Sequence, residues 1–381
     1  MHKFTNAVKL DQLQYVHQFI MSKVSSVLFV LMVIGAFFIS AEGKAPALKL
    51  FTANNKLFQY TGRIDFSDPI KPRFWSSGVY VKMRFKGKGA EVVVNDQMLY
   101  GNSHNYIDIT IDDQKPYRVQ TTDVTDNFKI GGGLEDKPHT VTICKDTEAG
   151  IGYMEFVGIK CEKLLELPPR PKHKIEFIGT SITCGADMDR SLYPCNFGEW
   201  YGHHNANMSY GGITARSLGA DFMITAISGI GLTNSCCKIP TMAEAFDKIN
   251  TRTDSLQWNF STYQPDVVSI CLGESDGPTA QDSVAFCGAY VTFIGDIRRY
   301  YPKSTIVCLN IPTSDIKMNG AFKRYIVGIS DYMNAHGDTK VYPFSISKAY
   351  TSGCNNHPDM GDHALIATEL TEYIRQVMKW K

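Results

Sequence analysis

The chain lacks a strong charge of either sign. Its 381 residues include 39 Lys and Arg against 38 Asp and Glu, a formal net charge of +1. No global electrostatic field therefore draws it to nucleic acid or to an anionic surface. No pair of cysteines or histidines has the spacing of a zinc site, and the adjacent His203 and His204 would diverge on regular structure. We therefore expect no metal, no other cofactor and no nucleic-acid partner.

An apolar run long enough to cross a membrane is also missing. The run over residues 27–39 falls short of the roughly 18 residues that a transmembrane helix needs. It follows Met21 and Lys23 and precedes small residues up to Gly43, which is typical of a secretory signal peptide. We predict a signal region within residues 1–43, with Met21 as a candidate start, and a secreted or periplasmic protein without stable membrane insertion. An uncleaved anchor is the alternative.

Cysteine pairing is left open by the sequence. An exported chain can form disulfides, and five of its ten cysteines fall in predicted loops. The five that could pair are Cys184, Cys195, Cys236, Cys237 and Cys354. Cys271 and Cys308 lie inside predicted buried strands, where we expect free thiols.

The first half of the predicted mature chain has the period of a β-sheet protein. Between about residues 57 and 159, apolar residues alternate with polar ones in short runs separated by Gly, Asn and Asp clusters. The predicted strands include 79–85, 91–94, 106–111, 139–144 and 153–159. Because no helical stripe interrupts them, we predict an all-β sandwich over residues 46–165. The stiff polar segment Leu167–Lys172 is the predicted domain boundary.

The second half, residues 166–381, alternates apolar strands with helices. Strands are predicted at 175–178, 222–226, 267–272, 305–309 and near Val341, and helices at 212–218, 242–249, 284–300, 321–334 and 362–378. In the last helix, one apolar stripe consists of Ile366, Leu370, Ile374 and Val377. Nearly continuous apolar strands between helices indicate an α/β architecture with a parallel sheet covered on both faces.

Two distant residues suggest acyl transfer. Ser181 follows the first strand of the second half, in a turn of small residues that presents its hydroxyl and backbone N–H to one point. His357 stands in a His-Pro turn before the final helix. Gly229 and Ser275 follow the second and third strands, so all four residues are expected at the carboxyl-terminal rim of the sheet, where ligands bind.

This order resembles the SGNH (GDSL-type) hydrolases, whose four sequence blocks contribute Ser, Gly, Asn and His. Over the whole mature chain the sequence resembles carbohydrate esterase family 2, in which a jelly-roll β-sandwich precedes a three-layer SGNH domain. The segments that extend the resemblance are Gly62–Phe66, Pro72–Phe74, Ser209–Gly211 and Leu218–Ala220. The resemblance implies an enzyme that removes acetyl groups from polysaccharides such as xylan and glucomannan.

Carried over residue by residue, the resemblance makes Ser181 the nucleophile and His357 the general base. The backbone N–H groups of Ser181 and Gly229 match two donors of the oxyanion hole, and losing one such donor typically costs about 2.7–4 kcal/mol. Ser275 stands where the family has an asparagine. The third donor is therefore a hydroxyl, which is shorter than a carboxamide and rotates freely.

The acid that usually precedes the histidine is also absent. SGNH enzymes usually have an Asp two or three residues before it, where this chain has Asn355 and Cys354. Because some family members work with a Ser–His dyad, we expect a dyad here, with the Asn355 amide oxygen or a backbone carbonyl accepting the ring N–H. Asp359 and Asp362 are expected to cap the last helix. We interpret His363, at the start of that helix, as structural.

Other residues near the rim have two interpretations each. Glu274 and Asp276 either hold a sugar hydroxyl or accept bonds from neighbouring backbone N–H groups. Trp200 and Tyr201 lie on the aromatic-rich loop 187–208. Because aromatic faces stack on sugar rings, they are candidates for the lip of a glycan cleft; alternatively the loop packs on its own domain.

Three functions fit the sequence. The main prediction is an exported carbohydrate O-acetyl esterase that acts on acetylated polysaccharide or oligosaccharide. A lipid or aryl esterase of the same superfamily would need an apolar acyl groove. A non-catalytic glycan-binding protein on a decayed SGNH scaffold would fit Ser275 and the missing acid. A transferase would use the same acyl-enzyme and the same residues, with an alcohol in place of water.

Overall fold

The computed structural model describes residues 47–253 and 255–381, so the predicted signal region lies outside the described residues. Antiparallel sheets come first along the chain and a parallel sheet follows. Both belong to one compact unit, Leu48–Lys381. Within the described part of the chain, no helix has the length and apolar character required to span a membrane.

The first eleven strands form two antiparallel sheets. They are β1 Lys49–Thr52, β2 Gln59–Thr61, β3 Arg73–Phe74, β4 Tyr80–Gly87, β5 Ala90–Asp96, β6 Tyr106–Ile111, β7 Tyr117–Gln120, β8 Thr125–Ile130, β9 Lys137–Lys145, β10 Met154–Cys161 and β11 Lys163–Leu165. One sheet has the order β1-β10-β5-β8 with β3 beside β10, and the other has the order β11-β4-β9-β6-β7 with β2 beside β4. Val81 and Phe85 from one sheet share a core with Val92 and Phe156 from the other. The predicted β-sandwich is confirmed.

The parallel sheet has five buried strands. They are β12 His173–Gly179, β13 Ala220–Ala226, β14 Val267–Cys271, β15 Thr305–Leu309 and β16 Val341–Phe344. Their order is β13-β12-β14-β15-β16, and every neighbouring pair is parallel. Because both faces of such a sheet are covered, its strands are apolar almost throughout, and this pattern allowed their prediction.

Among the residues that the structure describes, six helices follow or separate these strands. They are α1 Ser181–Cys184, α2 Tyr210–Ser217, α3 Met242–Ala245, α4 Ser283–Tyr300, α5 Ile316–Ala335 and α6 Met360–Met378. Short 3₁₀ segments occur at Ala149–Ile151, Trp200–His203, Phe260–Thr262, Glu274–Gln281 and Cys354–Asn356. The helices pack in pairs, α2 with α6 and α4 with α5. On α6, the predicted stripe is buried at Ile366, Leu370 and Ile374. The predicted α/β architecture is confirmed.

An ion pair joins the β-sandwich to the parallel sheet. Nη2 of Arg63, which follows β2, lies 3.0 Å from Oε1 of Glu176 on β12, and both side chains are fully buried. The other terminal nitrogen of Arg63 donates to the carbonyl of Lys248 at 2.7 Å and to that of Phe246. These two carbonyls accept bonds from the guanidinium instead of from N–H groups of a further helical turn. Helix α3 therefore ends at Ala245, one turn earlier than predicted.

Candidate active site

The turn after β12 presents Ser181 at the rim of the parallel sheet. Ser181 is the first residue of α1, directly after Gly179 and Thr180. Only glycine fits at position 179, because a Cβ there would lie 2.0 Å from Oγ1 of Thr183. In the order β13-β12-β14 the chain reverses its direction of winding at β12, and ligands of open α/β sheets bind at such a point.

His357 reaches Ser181 from the turn before α6. Nε2 of its ring lies 2.8 Å from Oγ of Ser181, within hydrogen-bond distance. The His357 N–H donates to the carbonyl of Cys354 at 2.9 Å, which closes the turn. Asn355 and Asn356 both have left-handed backbone conformations, with φ of +51° and +59°. The structure thus brings together the two side chains that the sequence placed at one rim.

A disulfide fastens the histidine turn to the loop that follows Ser181. Cys195 and Cys354 are bonded, with their Cα atoms 5.5 Å apart. The N–H of Cys354 also donates to the backbone carbonyl of Asp187 at 2.9 Å. Both cysteines belong to the five that were predicted to be available for pairing. Cys271 and Cys308 are buried free thiols, as predicted.

A carboxylate that the sequence did not reveal faces the far side of the histidine ring. Oδ2 of Asp187 lies 3.4 Å from Nδ1 of His357, and the backbone carbonyl of Asn355 lies 3.3 Å from the same nitrogen. One expectation was that the amide oxygen of Asn355 accepts the ring N–H. The structure shows no such bond; the backbone carbonyl of Asn355 faces the ring instead. Nδ2 of Asn355 donates to Oδ2 of Asp187 at 3.1 Å. The expected Ser–His dyad therefore has an acidic neighbour, supplied by the loop after Ser181.

Gly229 and Ser275 follow the neighbouring strands at the same rim. Gly179 of β12 pairs with Ala226 of β13 and with Cys271 of β14 in parallel register. Gly229 has a φ of +80°, a conformation that favours glycine. Ser275 is half-buried in the 3₁₀ segment after β14. The register thus places the segments that carry the predicted oxyanion-hole residues side by side.

Asp276 and Glu274 belong to the same 3₁₀ segment but have different surroundings. Asp276 is fully buried, and its Oδ1 accepts bonds from the backbone N–H groups of Leu232 and Thr233 at 3.0 and 2.6 Å. It holds the loop after β13 and is not available to a sugar. Glu274 is exposed at the surface. Partial desolvation raises the pKa of its carboxyl, and the nearby His357 ring opposes that shift.

The β-sandwich supplies another residue that the sequence did not point to. Glu148 is buried, and its Oε2 accepts a bond from the N–H of Ser228 at 2.7 Å. Its Oε1 lies 3.0 Å from Nε2 of His204. Burial acts to raise the pKa of Glu148, but the bonds from His204 and Ser228 together bring it below its usual value. An ionised carboxylate therefore positions Ser228, the residue before Gly229.

Comparison with known proteins identifies the family. Residues 60–171 match the family described as Carbohydrate esterase 2 N-terminal. The solved structure of a family two carbohydrate esterase from Clostridium thermocellum in complex with cellohexaose is 32% identical, with a TM-score of 0.77 over 85% of this chain and 100% of that chain. This chain belongs to carbohydrate esterase family 2.

Two curated proteins extend the comparison for this family 2 esterase. The cellulase/esterase CelE of Acetivibrio thermocellus is 33% identical over 336 residues, which make up 84% of this chain and 39% of that protein. The chain thus spans less than half the length of this relative. The acetylxylan esterase / glucomannan deacetylase of Cellvibrio japonicus is 26% identical over 363 residues, 92% of this chain and 98% of that protein. Carbohydrate esterases are carboxylic ester hydrolases, and the family assignment makes this chain an enzyme of that class.

The two aromatic residues proposed for the lip of the esterase cleft differ in exposure. Trp200 is 58% exposed, although its ring also contacts Tyr201 and His204 edge to face. Tyr201 is 4% exposed, packs against Tyr106, and accepts a bond from the N–H of His104 at 3.3 Å. Because Tyr201 has no free ring face, it is removed from the predicted lip.

The remaining histidines near the site contact protein atoms. His204 is paired as described above, and Nε2 of His203 lies 3.2 Å from the carbonyl of Pro194. Nδ1 of His363 accepts the N–H of Tyr210 at 3.1 Å. Burial lowers the pKa of His363 to about 3, so this ring is neutral and structural. Among residues 47–253 and 255–381, no group of three or more His, Cys, Asp or Glu is placed to hold a metal ion.

Two cavities differ in their distance from the chemistry. One of about 310 Å³ opens beside Glu274, and Ile311, Met318 and Phe322 contribute apolar side chains to its wall. The other, of about 330 Å³, lies between the β-sandwich and Ala220, the first residue of β13. That position is at the amino ends of the parallel strands, away from the Ser–His pair, whereas the first cavity adjoins Glu274, the neighbour of Ser275.

Proposed function

We propose that this protein is a carbohydrate O-acetyl esterase that removes acetyl groups from polysaccharides such as xylan or glucomannan. The contact of 2.8 Å between Oγ of Ser181 and Nε2 of His357 carries the proposal, because a serine hydroxyl attacks esters only with an adjacent base. The Cellvibrio japonicus relative is named for deacetylation of xylan and glucomannan, which supports the substrate class.

In the proposed reaction, Oγ of Ser181 attacks the acetyl carbonyl carbon while Nε2 of His357 takes the hydroxyl proton. The ring becomes a cation whose Nδ1–H faces the Asn355 carbonyl at 3.3 Å and Oδ2 of Asp187 at 3.4 Å. Both oxygens favour the positive charge. When the tetrahedral intermediate collapses, the sugar oxygen leaves with the proton from Nε2, and the acetyl group stays on Oγ.

Water then completes the turnover. The neutral ring takes a proton from water, the resulting hydroxide attacks the acyl carbon, and acetate leaves as Oγ regains its proton. The negative oxygen of both intermediates would be held by the N–H groups of Ser181 and Gly229 and by the hydroxyl of Ser275, as the family resemblance implies. An alcohol in place of water would give acyl transfer by the same steps.

The decisive assay is acetate release from acetylated xylan and acetylated glucomannan. The variant Ser181→Ala lacks the nucleophile, so we expect its kcat to fall on the order of 10⁶-fold. The exposed Ser191→Ala, on the loop after the nucleophile, is the matched control and should release acetate like the wild type. Equal release from Ser181→Ala would contradict the nucleophile, and no release from the wild type would contradict the esterase.

The cavity beside Glu274 supports a second candidate, an esterase for longer or aromatic acyl groups. Its volume of about 310 Å³ and the apolar side chains of Ile311, Met318 and Phe322 provide room for more than a methyl group. Nitrophenyl esters of increasing chain length separate the two candidates. We expect acetate to be preferred; a preference for octanoate or longer would replace the acetyl esterase with the lipid or aryl esterase.

A non-catalytic glycan-binding protein is distinguished by the same variants. The exposed indole of Trp200 suits sugar stacking, and the Clostridium thermocellum relative was solved with cellohexaose. Calorimetric binding of cellohexaose and of xylo-oligosaccharides to wild type and to Ser181→Ala, without acetate release from either, would favour this function over the esterase.

We also infer that the protein is exported to a secreted or periplasmic location. The composition of the segment Met21–Gly43 suits a signal peptide, and the disulfide between Cys195 and Cys354 suits an oxidising compartment. Sequencing the amino terminus of the exported protein should find a new start close to Gly43. Recovery of the chain in the cytoplasm with Met1 or Met21 intact would contradict the inference.

A further inference from the structure

Two adjacent cysteines lie beside the segment that carries Gly229. Cys236 and Cys237 are both exposed, and their sulfur atoms are 2.6 Å apart. This separation is longer than the roughly 2.0 Å of a disulfide but shorter than the distance at which unbonded sulfurs pack. Cys237 and Lys238 have φ values of +61° and +57°, an uncommon conformation for side chains other than glycine. The local backbone therefore holds the two thiols face to face.

The first of these cysteines packs directly on Gly229. The N–H of Cys236 donates to the carbonyl of Gly229 at 2.9 Å. A Cβ added to Gly229 would lie 2.1 Å from Sγ of Cys236, so the sulfur occupies the space beside the glycine Cα. Glu148 accepts a bond from the N–H of the preceding residue, Ser228, at 2.7 Å. The peptide groups around Gly229 are thus held by the Glu148 carboxylate, through Ser228, and by Cys236.

We propose that Cys236 and Cys237 form a redox modification site, in which a disulfide between the two neighbours fixes the Gly229 segment and supports the esterase reaction. The inferred effect on rate rests on the proposed function, whereas the modification itself does not. Most of the other free cysteines among the described residues are buried. Oxidation of the native protein would therefore select this exposed pair, since exposure controls thiol chemistry.

The oxidant is a small disulfide of the glutathione class. Partial burial and the adjacent Cys237 thiol raise the pKa of Cys236 to about 11. We assign the first attack to Cys237 because the sulfur of Cys236 occupies the space beside Gly229. Its sulfur displaces one glutathione thiol and forms a mixed disulfide. Sγ of Cys236 then attacks Sγ of Cys237 and releases the second glutathione thiol. The two cysteines lose two electrons and two protons, which the two glutathione thiols carry away.

The bond between neighbours should be readily reversible. Adjacent Cα atoms are only about 3.8 Å apart across a trans peptide, closer than the usual separation in disulfides. Disulfides outside the usual geometry are more easily reduced than structural ones. We therefore expect this pair to respond to mild glutathione buffers that leave Cys195–Cys354 oxidised, which allows the two bonds to be studied separately.

A tryptic peptide isolates the pair for direct detection. Cleavage after Arg216 and Lys238 yields Ser217–Lys238, whose only cysteines are Cys236 and Cys237. The purified full chain is equilibrated with oxidised glutathione, and its remaining thiols are blocked with iodoacetamide. After digestion without a reductant, the mass of the peptide is measured by mass spectrometry. We expect an unblocked peptide lighter by two hydrogen atoms than the dithiol form. A peptide blocked at both cysteines, or one carrying glutathione, would overturn the proposal.

Activity tests the connection to Gly229. Losing an oxyanion donor outright costs about 10²–10³ in kcat, so loosening one should cost less, and we expect a three- to tenfold lower kcat in the reduced enzyme. The double variant Cys236→Ser/Cys237→Ser should have the kcat of the reduced wild type, and this kcat should not change with the glutathione ratio. The control Cys287→Ser, a half-buried cysteine on α4, should respond to glutathione like the wild type.

The outcomes separate the proposal from the esterase function. If the peptide is oxidised and nitrophenyl acetate is hydrolysed at one rate in both redox states, the inferred support of Gly229 is wrong. If the peptide is oxidised and neither state hydrolyses any ester, the proposed function fails while the redox site stands. The Cys195–Cys354 disulfide must stay intact in these comparisons. The masses of its linked peptides are therefore measured in the same digest, and any glutathione ratio that reduces this disulfide is left out of the activity comparison.

Discussion

Replacing Asp187 by asparagine removes the carboxylate that faces His357 while keeping the size of the side chain. Oδ2 of Asp187 lies 3.4 Å from Nδ1, and both side chains are largely buried, 15% and 19% exposed. At this distance a unit charge stabilises the imidazolium by about 1.2 kcal/mol with the dielectric constant of water and by about 5 kcal/mol with an effective constant of 20. These values bracket the expected effect.

The second acceptor of the ring narrows this range. The carbonyl of Asn355 lies 3.3 Å from Nδ1 and keeps the ring in the required tautomer without Asp187. The loss should then come from charge alone, and we expect Asp187→Asn to lower kcat for nitrophenyl acetate about 10- to 100-fold with an unchanged KM. In trypsin, by comparison, the equivalent change costs about 10⁴-fold because it produces the wrong tautomer.

A charge-matched control decides whether position matters. Asp359 accepts a bond from the N–H of Asp362 at 2.9 Å and pairs with Arg190 on the other side of the histidine turn. Asp359→Asn removes the same charge and keeps a helix-capping side chain, so kcat should change less than about twofold. If Asp187→Asn is as active as Asp359→Asn, or if both lose activity equally with an intact fold, Asp187 does not stabilise the ring and the reasoning fails.

Three further changes test the site and its support. Ser275→Asn restores the carboxamide donor of the family, and kcat for nitrophenyl acetate should rise about tenfold; a kcat that stays level or falls in a folded variant would mean that another group completes the oxyanion hole. Cys195→Ser/Cys354→Ser opens a cross-link with a sequence separation of 159, so urea unfolding should show a free energy lower by about 3–5 kcal/mol, and an unchanged midpoint would refute this. His363 has a pKa of about 3 in the fold against about 6.5 when unfolded, so the unfolded state binds more protons between these values, and stability should fall as pH drops through them by up to about 1.4 kcal/mol per unit. His363→Asn keeps an acceptor for the N–H of Tyr210 and should flatten that slope; equal slopes in both proteins would contradict the neutral ring.

The sequence predicts best those features that depend on local patterns. Each strand of the parallel sheet is buried on both faces, so its apolar residues stand in one short run that needs no knowledge of the rest of the chain. The positions of Ser181, Gly229 and Ser275 follow from this, because each comes just after a strand end. His357 was recognisable from its proline-containing turn before an amphipathic helix.

Residues whose partners are distant in the sequence could not be predicted in the same way. Asp187 approaches His357 because a disulfide and a backbone bond fasten its loop to the histidine turn, and no spacing encodes that path. Glu148 lies in the β-sandwich and contacts the site across the junction. Trp200 and Tyr201 are adjacent aromatic residues that the sequence does not distinguish. Only in the fold do they differ in exposure, because Tyr201 packs against Tyr106.

The salt link between Arg63 and Glu176 bears on how the polypeptide can be divided. Cutting the chain within Leu167–Lys172 would release a fragment that contains Glu176 without Arg63, the guanidinium that pairs with it. A carboxylate stranded inside an apolar interior destabilises a protein by several kcal/mol. Truncation at the proline-rich joint should therefore destabilise the excised α/β fragment unless position 176 is neutralised as well.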